Sequence, residues 1–351
     1  MYLTYNKPKN IVPFKDIYES LLTQQNIKPL IDPYQERNTI ILTEEEHKDL
    51  YERYQLNKMI DRLKRLAYNC TKITDLSYHT FQIPKASGGY RTISAPNDEL
   101  KTMQKKIKIA FEKDLFLLPS NNAHGFTGNR NTKTALKQHQ KNNSKWFLKL
   151  DVENFFPSWN KELIIRQLKQ IFPFTYLLEN SEAEEALNVI IDTCLLDNKL
   201  PQGSPVSPLL TNILMIPFDY EIQKHLGKDM VYTRYADDIL ISSKYNFNWQ
   251  IIVSMVEFNI TPLNLKRNKT RYSSSNGRNW NLGLMLNKDN NITIGWRNKK
   301  HLKAQLTHYF LKDNMQITEH QLLGLISYYE MIEPDYIKYL MKKYKEKFNK
   351  L

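Results

Sequence analysis

Residues 231–242 read VYTRYADDILIS, and this stretch decides the fold that we expect. Two short runs rich in β-branched and aromatic side chains flank Ala236, Asp237 and Asp238, which is the pattern of a β-hairpin. The acidic pair then lies at the tip of that hairpin. Aspartate is common in turns for structural reasons alone, so the pair by itself identifies no site.

A further carboxylate ends a second predicted strand. Residues 146–152 read WFLKLDV, a buried strand that leads into Asp151. If this strand lies beside the hairpin, Asp151, Asp237 and Asp238 share one cleft, and such a cluster repels itself unless cations neutralise it. Two Mg²⁺ ions about 4 Å apart would do so, and would assist both an attacking hydroxyl and a leaving pyrophosphate. Magnesium favours one or two carboxylates together with phosphate oxygens, which agrees with this set.

The composition bounds the class of protein. The chain has 351 residues, with 50 Lys and Arg against 37 Asp and Glu, so its formal net charge is +13. Hydrophobic residues make up 41%, which is enough for a core and excludes wholesale disorder. The basic excess favours a nucleic-acid partner, although Lys, Asn, Ile and Tyr are all frequent and part of the charge is compositional.

Other features concern the compartment. The apolar runs are short, so we expect no membrane partner. The first residues lack a hydrophobic signal region, so we expect no secretion. Cys70 and Cys194 show no metal-ligand spacing, which argues against a disulfide framework or a zinc site and favours a reducing cytoplasm.

The rest of the chain divides into segments that differ in composition and in predicted secondary structure. The first 75 or so residues are charged and mostly helical in pattern, for example residues 44–66. Residues 78–84 and 90–94 predict two strands around a Gly88-Gly89 turn, followed by a helix that starts at Pro96-Asn97. Further predictions are a helix over 182–196, a loop over 273–277 and a Lys-rich helical end. One apolar stripe of that end is formed by Ile337, Leu340, Met341, Tyr344 and Phe348.

Several motifs together resemble those of a known family. Residues 235–238, YADD, resemble the catalytic hairpin of reverse transcriptases. Other motifs follow the family in order and spacing: IPKASGGYRTI at 83–93, LDVENFFPS at 150–158, LPQGSPVSPLL at 200–210 and NKT at 268–270. Over roughly residues 78–345 the chain is identified as similar to bacterial retron-type or defence-associated, group II intron-like, reverse transcriptases.

The resemblance implies an α+β right-hand polymerase with fingers, an antiparallel-sheet palm and a helical thumb. The implied division is an N-terminal helical extension (1–75), fingers (76–145), a palm with part of the fingers between its motifs (146–295) and the thumb (296–351). Leu284-Met285-Leu286 would be a primer-grip strand or simply core.

The resemblance also implies the site. Asp151, Asp237 and Asp238 match the catalytic carboxylates, and Val152 joins them in the metal-binding set. The positions implied for binding the deoxynucleotide are Lys85, Arg91, Phe155, Phe156, Gln202, Gly203 and Lys269. Those implied for contacting nucleic acid are Tyr235, Lys299, Lys300 and Lys303.

Individual roles follow from the same matches. Phe156 corresponds to a steric gate, since a flat ring there would clash with a ribose 2′-hydroxyl. Lys85 and Arg91 correspond to cations that grip the triphosphate. Lys269 corresponds to a proton donor for the departing pyrophosphate. Each of these residues could also be an ordinary core or solvated side chain.

The implied activity is nucleotidyl transfer by an RNA-directed DNA polymerase that uses two Mg²⁺ ions, dNTPs, an RNA template and a nucleic-acid primer. A cognate non-coding RNA, an effector protein and a role in antiphage defence are further expectations. Three alternatives stay open: a non-retron defence enzyme with untemplated or protein-primed synthesis, an RNA-dependent RNA polymerase, and a catalytically idle RNA-binding module. Ala236 and Phe156 argue against the RNA polymerase, whose hairpin usually carries Gly-Asp-Asp and whose gate is small or polar.

Overall fold

A computed structural model describes residues 56–85, 88–113, 115, 119–274, 283–311 and 317–348. The strands are β1 (Tyr78–Pro84), β2 (Tyr90–Pro96), β3 (Trp146–Asp151), β4 (Met230–Tyr235), β5 (Asp238–Ser243), β6 (Arg271–Ser274), β7 (Met285–Leu286) and β8 (Ile292–Thr293). The helices are α1 (Leu56–Cys70), α2 (Asp98–Lys113), α3 (Thr132–Lys141), α4 (Lys161–Leu168), α5 (Phe174–Leu177), α6 (Ser181–Asp192), α7 (Ser207–Leu214), α8 (Ile216–His225), α9 (Trp249–Ile260), α10 (Gly295–Leu311), α11 (Glu319–Ile332) and α12 (Pro334–Phe348), with a 3₁₀ turn at Arg267–Lys269.

The central sheet is antiparallel and has the strand order β4-β5-β3-β6. Because successive side chains point to opposite faces of a strand, each strand serves two cores. Leu148 and Ile241 belong to a large cluster with the surrounding helices, whereas Phe147 and Leu240 belong to a second cluster with the C-terminal helices. The sheet is therefore covered on both faces, which explains its nearly continuous apolar strands.

The predicted strands of this sheet are confirmed, with small shifts at their ends. β3 ends at Asp151, and Val152 continues only as an isolated bridge to Leu265. The predicted loop over 273–277 is wrong at its start, because Ser273 and Ser274 pair with β3 as the end of β6. Its remainder lies outside the described residues.

The first hairpin also agrees with the prediction. β1 and β2 pair from Tyr78↔Pro96 to Pro84↔Tyr90. The turn uses Gly88 and Gly89 at φ +87° and +76°, a region that side-chain-bearing residues rarely adopt. The helix that follows is α2, whose Leu100 N–H is capped by the Asn97 side chain at 2.8 Å. The predicted helix over 182–196 is shorter than expected and ends at Asp192.

The C-terminal helices form a separate apolar core with the second face of the sheet. Leu302 and Leu306 of α10, Leu322 of α11 and Leu340 of α12 are buried there. The stripe predicted on α12 is confirmed at Ile337, Leu340, Met341 and Tyr344, while the side chain of Phe348 lies outside the described residues. Leu284 and Leu286 are buried in the same cluster beside the short β7–β8 pair.

The α+β right-hand polymerase fold is confirmed, with the sheet as its palm. Residues 1–55 lie outside the described residues, so most of the implied N-terminal extension is not addressed. α1, its described part, places Met59 and Leu63 in the large core, so this helix is integral to the fold. Among the described helices, none combines the length and the apolar composition that crossing a membrane requires.

Candidate active site

The tip of the β4–β5 hairpin carries the acidic pair. Tyr235 and Asp238 face each other as the last register pair, so the chain reverses over Ala236 and Asp237 alone. Ala236 adopts a φ of +55°, a conformation that favours glycine and that a surrounding structure must enforce in an alanine. The short turn presents both carboxylates at one end of the strands.

Asp151 lies at the same end of the sheet, as the last residue of β3. It is the register partner of Asp238, and the Val152 N–H donates to the Asp237 carbonyl at 2.9 Å. The structure therefore brings Asp151, Asp237 and Asp238 to one end of three neighbouring strands. This grouping, predicted from strand ends that are distant in the sequence, is a consequence of the β3–β5 register.

Burial and the neighbouring carboxylates of the site disfavour the ionised form of Asp237. Burial is the largest cause that raises the pKa of Asp237, and the neighbouring carboxylates of Asp238 and Asp151 add to it. A backbone hydrogen bond and the Lys269 ammonium act in the opposite direction. A carboxyl that resists ionisation in this way is stabilised by a nearby cation.

Two lysines supply positive charge to the cluster. The Lys269 Nζ lies 2.6 Å from Asp151 Oδ2, and the Lys149 Nζ lies 2.7 Å from Asp238 Oδ1. The hydrogen bond to Asp151 is the main cause that raises the pKa of Lys269. Lys149 was absent from the predicted site. Its signal in the sequence is a lone charge in an apolar strand, two residues before Asp151 and hence on the same face.

These residues fit a magnesium site in their donor chemistry. Within the described part of the chain, no three His, Cys, Asp or Glu side chains are close enough to form a complete metal cage. Magnesium does not need such a cage, because it keeps waters and takes substrate phosphates beside one or two carboxylates. Asp151, at the end of β3, and Asp237, in the turn between β4 and β5, meet that requirement.

The two phenylalanines after Asp151 separate into different environments. Phe156 is half-buried, and its ring centroid lies 6.2 Å from that of Phe126. Phe155 keeps only 4% of its surface exposed and belongs to the large core. The ring of Phe155 packs edge-on against that of Phe156, with 5.6 Å between the centroids, and its contact with the nucleotide stays a prediction. Phe126, an exposed ring with a φ of +57°, carried no signal in the sequence.

The fingers hairpin presents Lys85 and Arg91 differently from the lysines of the palm. Both side chains are exposed, and neither is bonded to another described residue. The loop after Leu200 is joined to this hairpin, since the Ser94 N–H donates to the Gln202 carbonyl at 2.8 Å. Gly203 adopts a φ of +129°, and a Cβ there would meet the Ser94 oxygen at 2.6 Å. Only glycine permits this approach.

The thumb lysines are not equivalent. The Lys299 Nζ lies 2.6 Å from Glu333 Oε1 and 4.3 Å from the Tyr336 ring centroid. Lys299 is thus paired with Glu333, and its contact with nucleic acid stays a prediction. Lys303 is exposed, and Lys300, also exposed, lies over the Trp296 ring at 5.3 Å.

Tyr235 is half-buried at the end of β4. Burial raises the pKa of its hydroxyl, and the nearby phenol of Tyr328 on α11 adds to the effect. Tyr328 in turn pairs with Thr132 at 3.0 Å between hydroxyl oxygens, so the thumb reaches α3 close to the hairpin. No motif or spacing in the sequence pointed to Tyr328.

Comparisons with known proteins agree with this architecture. A family model described as reverse transcriptase (RNA-dependent DNA polymerase) matches residues 83–311. Among curated proteins, the chain is 26% identical to the Retron Ec83 reverse transcriptase of Escherichia coli, over 77% of this chain and 87% of that protein. It is 28% identical to the Retron Ec73 reverse transcriptase of Escherichia coli, over 75% of this chain and 86% of that protein.

Among solved structures, a telomerase from Candida albicans in complex with a fragment of telomeric RNA aligns with a TM-score of 0.45 and 12% identity, over 88% of this chain and 60% of that one. The assignment rests on the family match, which spans more than half of the sequence. The chain therefore belongs to the reverse transcriptase family of RNA-directed DNA polymerases.

Proposed function

We propose that the chain extends a primer with deoxynucleotides on an RNA template, at the site that Asp151, Asp237 and Asp238 form at the ends of the strands. The observation that carries the proposal is the register of β3 with β5, which sets Asp151 opposite Asp238 and beside the hairpin turn. Self-repelling carboxylates at the ends of strands are the arrangement that nucleotidyl transfer uses to hold cations.

We assign Asp151 and Asp237 as the residues that would hold two Mg²⁺ ions, with the Val152 carbonyl as an additional donor. Magnesium bound there would lower the charge that develops on the attacking hydroxyl and on the departing pyrophosphate. Asp238, whose Oδ1 atom pairs with Lys149, is proposed to assist at the same site. Lys269, hydrogen-bonded to Asp151, is proposed to give a proton to the pyrophosphate oxygen.

The other proposed contacts surround this site. Arg91 and Lys85 are exposed on the fingers hairpin and have no side-chain partner among the described residues. They would bind the triphosphate, the arginine through its planar fork. The Gln202-Gly203 loop, docked on β2, would pack against the incoming base pair. Phe156, backed by Phe155, would exclude a 2′-hydroxyl.

The proposed nucleic-acid contacts are Tyr235 at the hairpin and Lys300 and Lys303 on α10. Such lysines would neutralise backbone phosphates without reading sequence, so binding should weaken steeply with salt. We further propose a cognate non-coding RNA as the template, by analogy with the retron relatives, and a role in antiphage defence that could include an effector protein. Sequencing the nucleic acid that copurifies with the protein tests the RNA partner, and random host sequence would contradict it.

Primer extension on an RNA template tests the central proposal. Asp237→Asn should reduce dNTP incorporation by at least about a thousandfold, since it removes a charge that acts mainly in the transition state. The matched control is Asp192→Asn, which removes an exposed carboxylate paired with Lys161 on the surface. Full activity of Asp237→Asn, or equal loss in the control, would refute the assignment. Parallel assays with NTPs separate this activity from RNA synthesis.

A further inference from the structure

A fully buried ion pair lies directly beneath the catalytic hairpin. Arg234 on β4 and Asp219 on α8 have side chains with no exposed surface. The guanidinium is bidentate: Nε donates to Asp219 Oδ1 and Nη2 donates to Oδ2, both at 2.8 Å. The hydroxyls of Tyr232 and Ser120 donate to the same carboxylate, each at 2.5 Å. Every oxygen of Asp219 is thus engaged twice.

The remaining guanidinium nitrogen reaches the turn that carries Asp237. Arg234 Nη1 donates to the Ala236 carbonyl at 3.2 Å and to Asn212 Oδ1 at 3.0 Å. The Ala236 carbonyl belongs to the peptide bond that precedes Asp237, so this hydrogen bond fixes the orientation of that peptide. Ala236 itself has the positive φ that an alanine adopts only when held.

A loop supports the same turn from the other side. Asn212 Nδ2 donates to the Gly125 carbonyl at 2.7 Å, and a Cβ on Gly125 would meet the Ala236 nitrogen at 2.7 Å. The His124 N–H donates to the Arg234 carbonyl, and the Arg234 N–H donates to the Asn122 carbonyl, each at 2.7 Å. The turn is therefore confined between the buried pair and residues 122–125.

Stability alone is a weak reason for such a pair. Removing two charges from water is costly, and apolar residues of similar volume often serve a core equally well. The neighbouring positions on α7 and α8, such as Ile213, Leu214 and Ile216, are apolar and fully or almost fully buried. What a guanidinium provides and a leucine does not is direction: its fixed fork defines where the Ala236 carbonyl must point.

We propose that Arg234, oriented by Asp219 and Asn212, is a positioning residue that sets the peptide before Asp237 and so the affinity of the carboxylate cluster for divalent cations. Arg234 does not contact the substrate, since it has no exposed surface. It acts through the turn, as residues behind a metal ligand do when they hold its orientation. The inference rests on the proposed function, because it concerns the cation site at those same strand ends.

Mn²⁺ binding to the intact chain, measured by electron paramagnetic resonance without nucleotide or primer, tests the inference apart from activity. Arg234→Lys keeps the charge opposite Asp219 but loses the fork, and it should raise the Mn²⁺ dissociation constant by at least about tenfold. Gly125→Ala leaves the ion pair intact and pushes on the Ala236 nitrogen, so it should also weaken Mn²⁺ binding. It stays informative if Arg234→Lys does not fold.

The matched control is His139→Gln. His139 is equally buried and bonds Thr233 of β4 and Ser242 of β5, at 2.8 and 2.6 Å, but it has no bond to the turn. It should lower the thermal midpoint while leaving Mn²⁺ affinity unchanged. Wild-type affinity in Arg234→Lys, or equal weakening in His139→Gln, would overturn the inference.

Activity adds a second readout. In primer extension, Arg234→Lys should lower kcat while the dissociation constant of the primer–template stays at the wild-type value, because the bound nucleic acid does not touch Arg234. Failure of the proposed function looks different: wild-type protein would bind no Mn²⁺, or Asp237→Asn would bind it as well as wild type. Either result would remove the cation site itself, and with it this inference.

Discussion

Two hairpins of this chain have the same secondary structure and opposite surroundings. In the β4–β5 hairpin, residues 231–234 and 239–243 are buried. The Arg234 side chain of this hairpin bonds Asp219, and its Thr233 hydroxyl bonds His139. In the β1–β2 hairpin, Phe81, Ile83 and Tyr90 are exposed, and Lys85 and Arg91 have no side-chain partner in the described residues. The first hairpin is fixed from all sides, while the second is attached at its base.

The difference suggests a division of work. Carboxylates that hold cations must stay within a narrow geometry, so they belong on a rigid element. Cations that capture a triphosphate must reach and release it, and a hairpin with few tertiary contacts opens at low cost. Changes in the β4–β5 hairpin should therefore alter stability or geometry, and changes of the exposed Lys85 and Arg91 side chains on the β1–β2 hairpin should alter substrate binding.

The largest effect on stability should come from His139. Burial lowers the pKa of His139 to about 3, so the folded protein keeps it neutral while the unfolded chain protonates it near pH 6.5. The unfolded state then binds more protons below that pH, and stability falls as the pH decreases. Between pH 7 and pH 5 this one group should cost about 2 kcal/mol.

Urea denaturation at both pH values checks this. His139→Gln should be less stable at pH 7 by about 1–3 kcal/mol, and should lose less on acidification than wild type does. The exposed His320 provides the control, since His320→Gln should leave both the stability and its pH dependence unchanged. An unchanged acid slope in His139→Gln would contradict the prediction.

The next largest effect should concern the choice of sugar. Phe156→Ala removes the ring that Phe155 supports and opens the space proposed for a 2′-hydroxyl. The preference for dNTPs over NTPs should fall by about a hundredfold, or roughly 3 kcal/mol of discrimination. The ratio of kcat/KM values for the two substrates measures it, and an unaltered ratio would assign Phe156 to the core alone.

A smaller effect should follow a change of charge on the free hairpin. Arg91→Ala should raise the KM for dNTPs by about tenfold, corresponding to about 1.4 kcal/mol. The thermal midpoint should not move, because the side chain has no partner to lose. Lys101→Ala on the exposed face of α2 is the control, and it should leave KM unchanged. A shifted midpoint with an unaltered KM would reverse the comparison between the hairpins.

The smallest effect should come from the fingers turn. Gly88 has a φ of +87° and no neighbour that a Cβ would meet. Gly88→Ala should therefore cost only backbone strain, about 1 kcal/mol of local stability, with dNTP incorporation close to wild type. Hydrogen exchange of the β1–β2 amides would show faster local opening, and a global loss of stability would mean that this turn is coupled to the core.

Much of the architecture was predictable from local patterns. The β-branched and aromatic runs of β4 and β5, the Gly-Gly turn of the fingers and the apolar stripe of α12 are short-range features that the chain carries wherever it folds. The acidic residues of the candidate site also carried a signal, because Asp151 ends an apolar strand and Asp237 and Asp238 lie between two others. These features depend on neighbouring residues in the sequence, so periodicity detects them.

Pairings across the chain were not predictable in this way. Phe155 and Phe156 are adjacent and chemically identical, and only the position of the core decides that Phe155 is buried and Phe156 is half-buried. Lys299 resembled its neighbours until the fold placed Glu333 beside it. Solvent exposure of a charged side chain is a property of the whole packing arrangement.

The sequence by itself determined the family, the strands that carry the acidic residues and the helical end, since these follow from motif order and residue periodicity. The tertiary structure alone decided which carboxylate faces which lysine, and it placed Arg234 and Asp219 together with no exposed side-chain surface. The physical reason is distance along the chain: an ion pair forms between groups that meet only after the sheet and its helices have packed, and its strength depends on the dielectric that this packing creates.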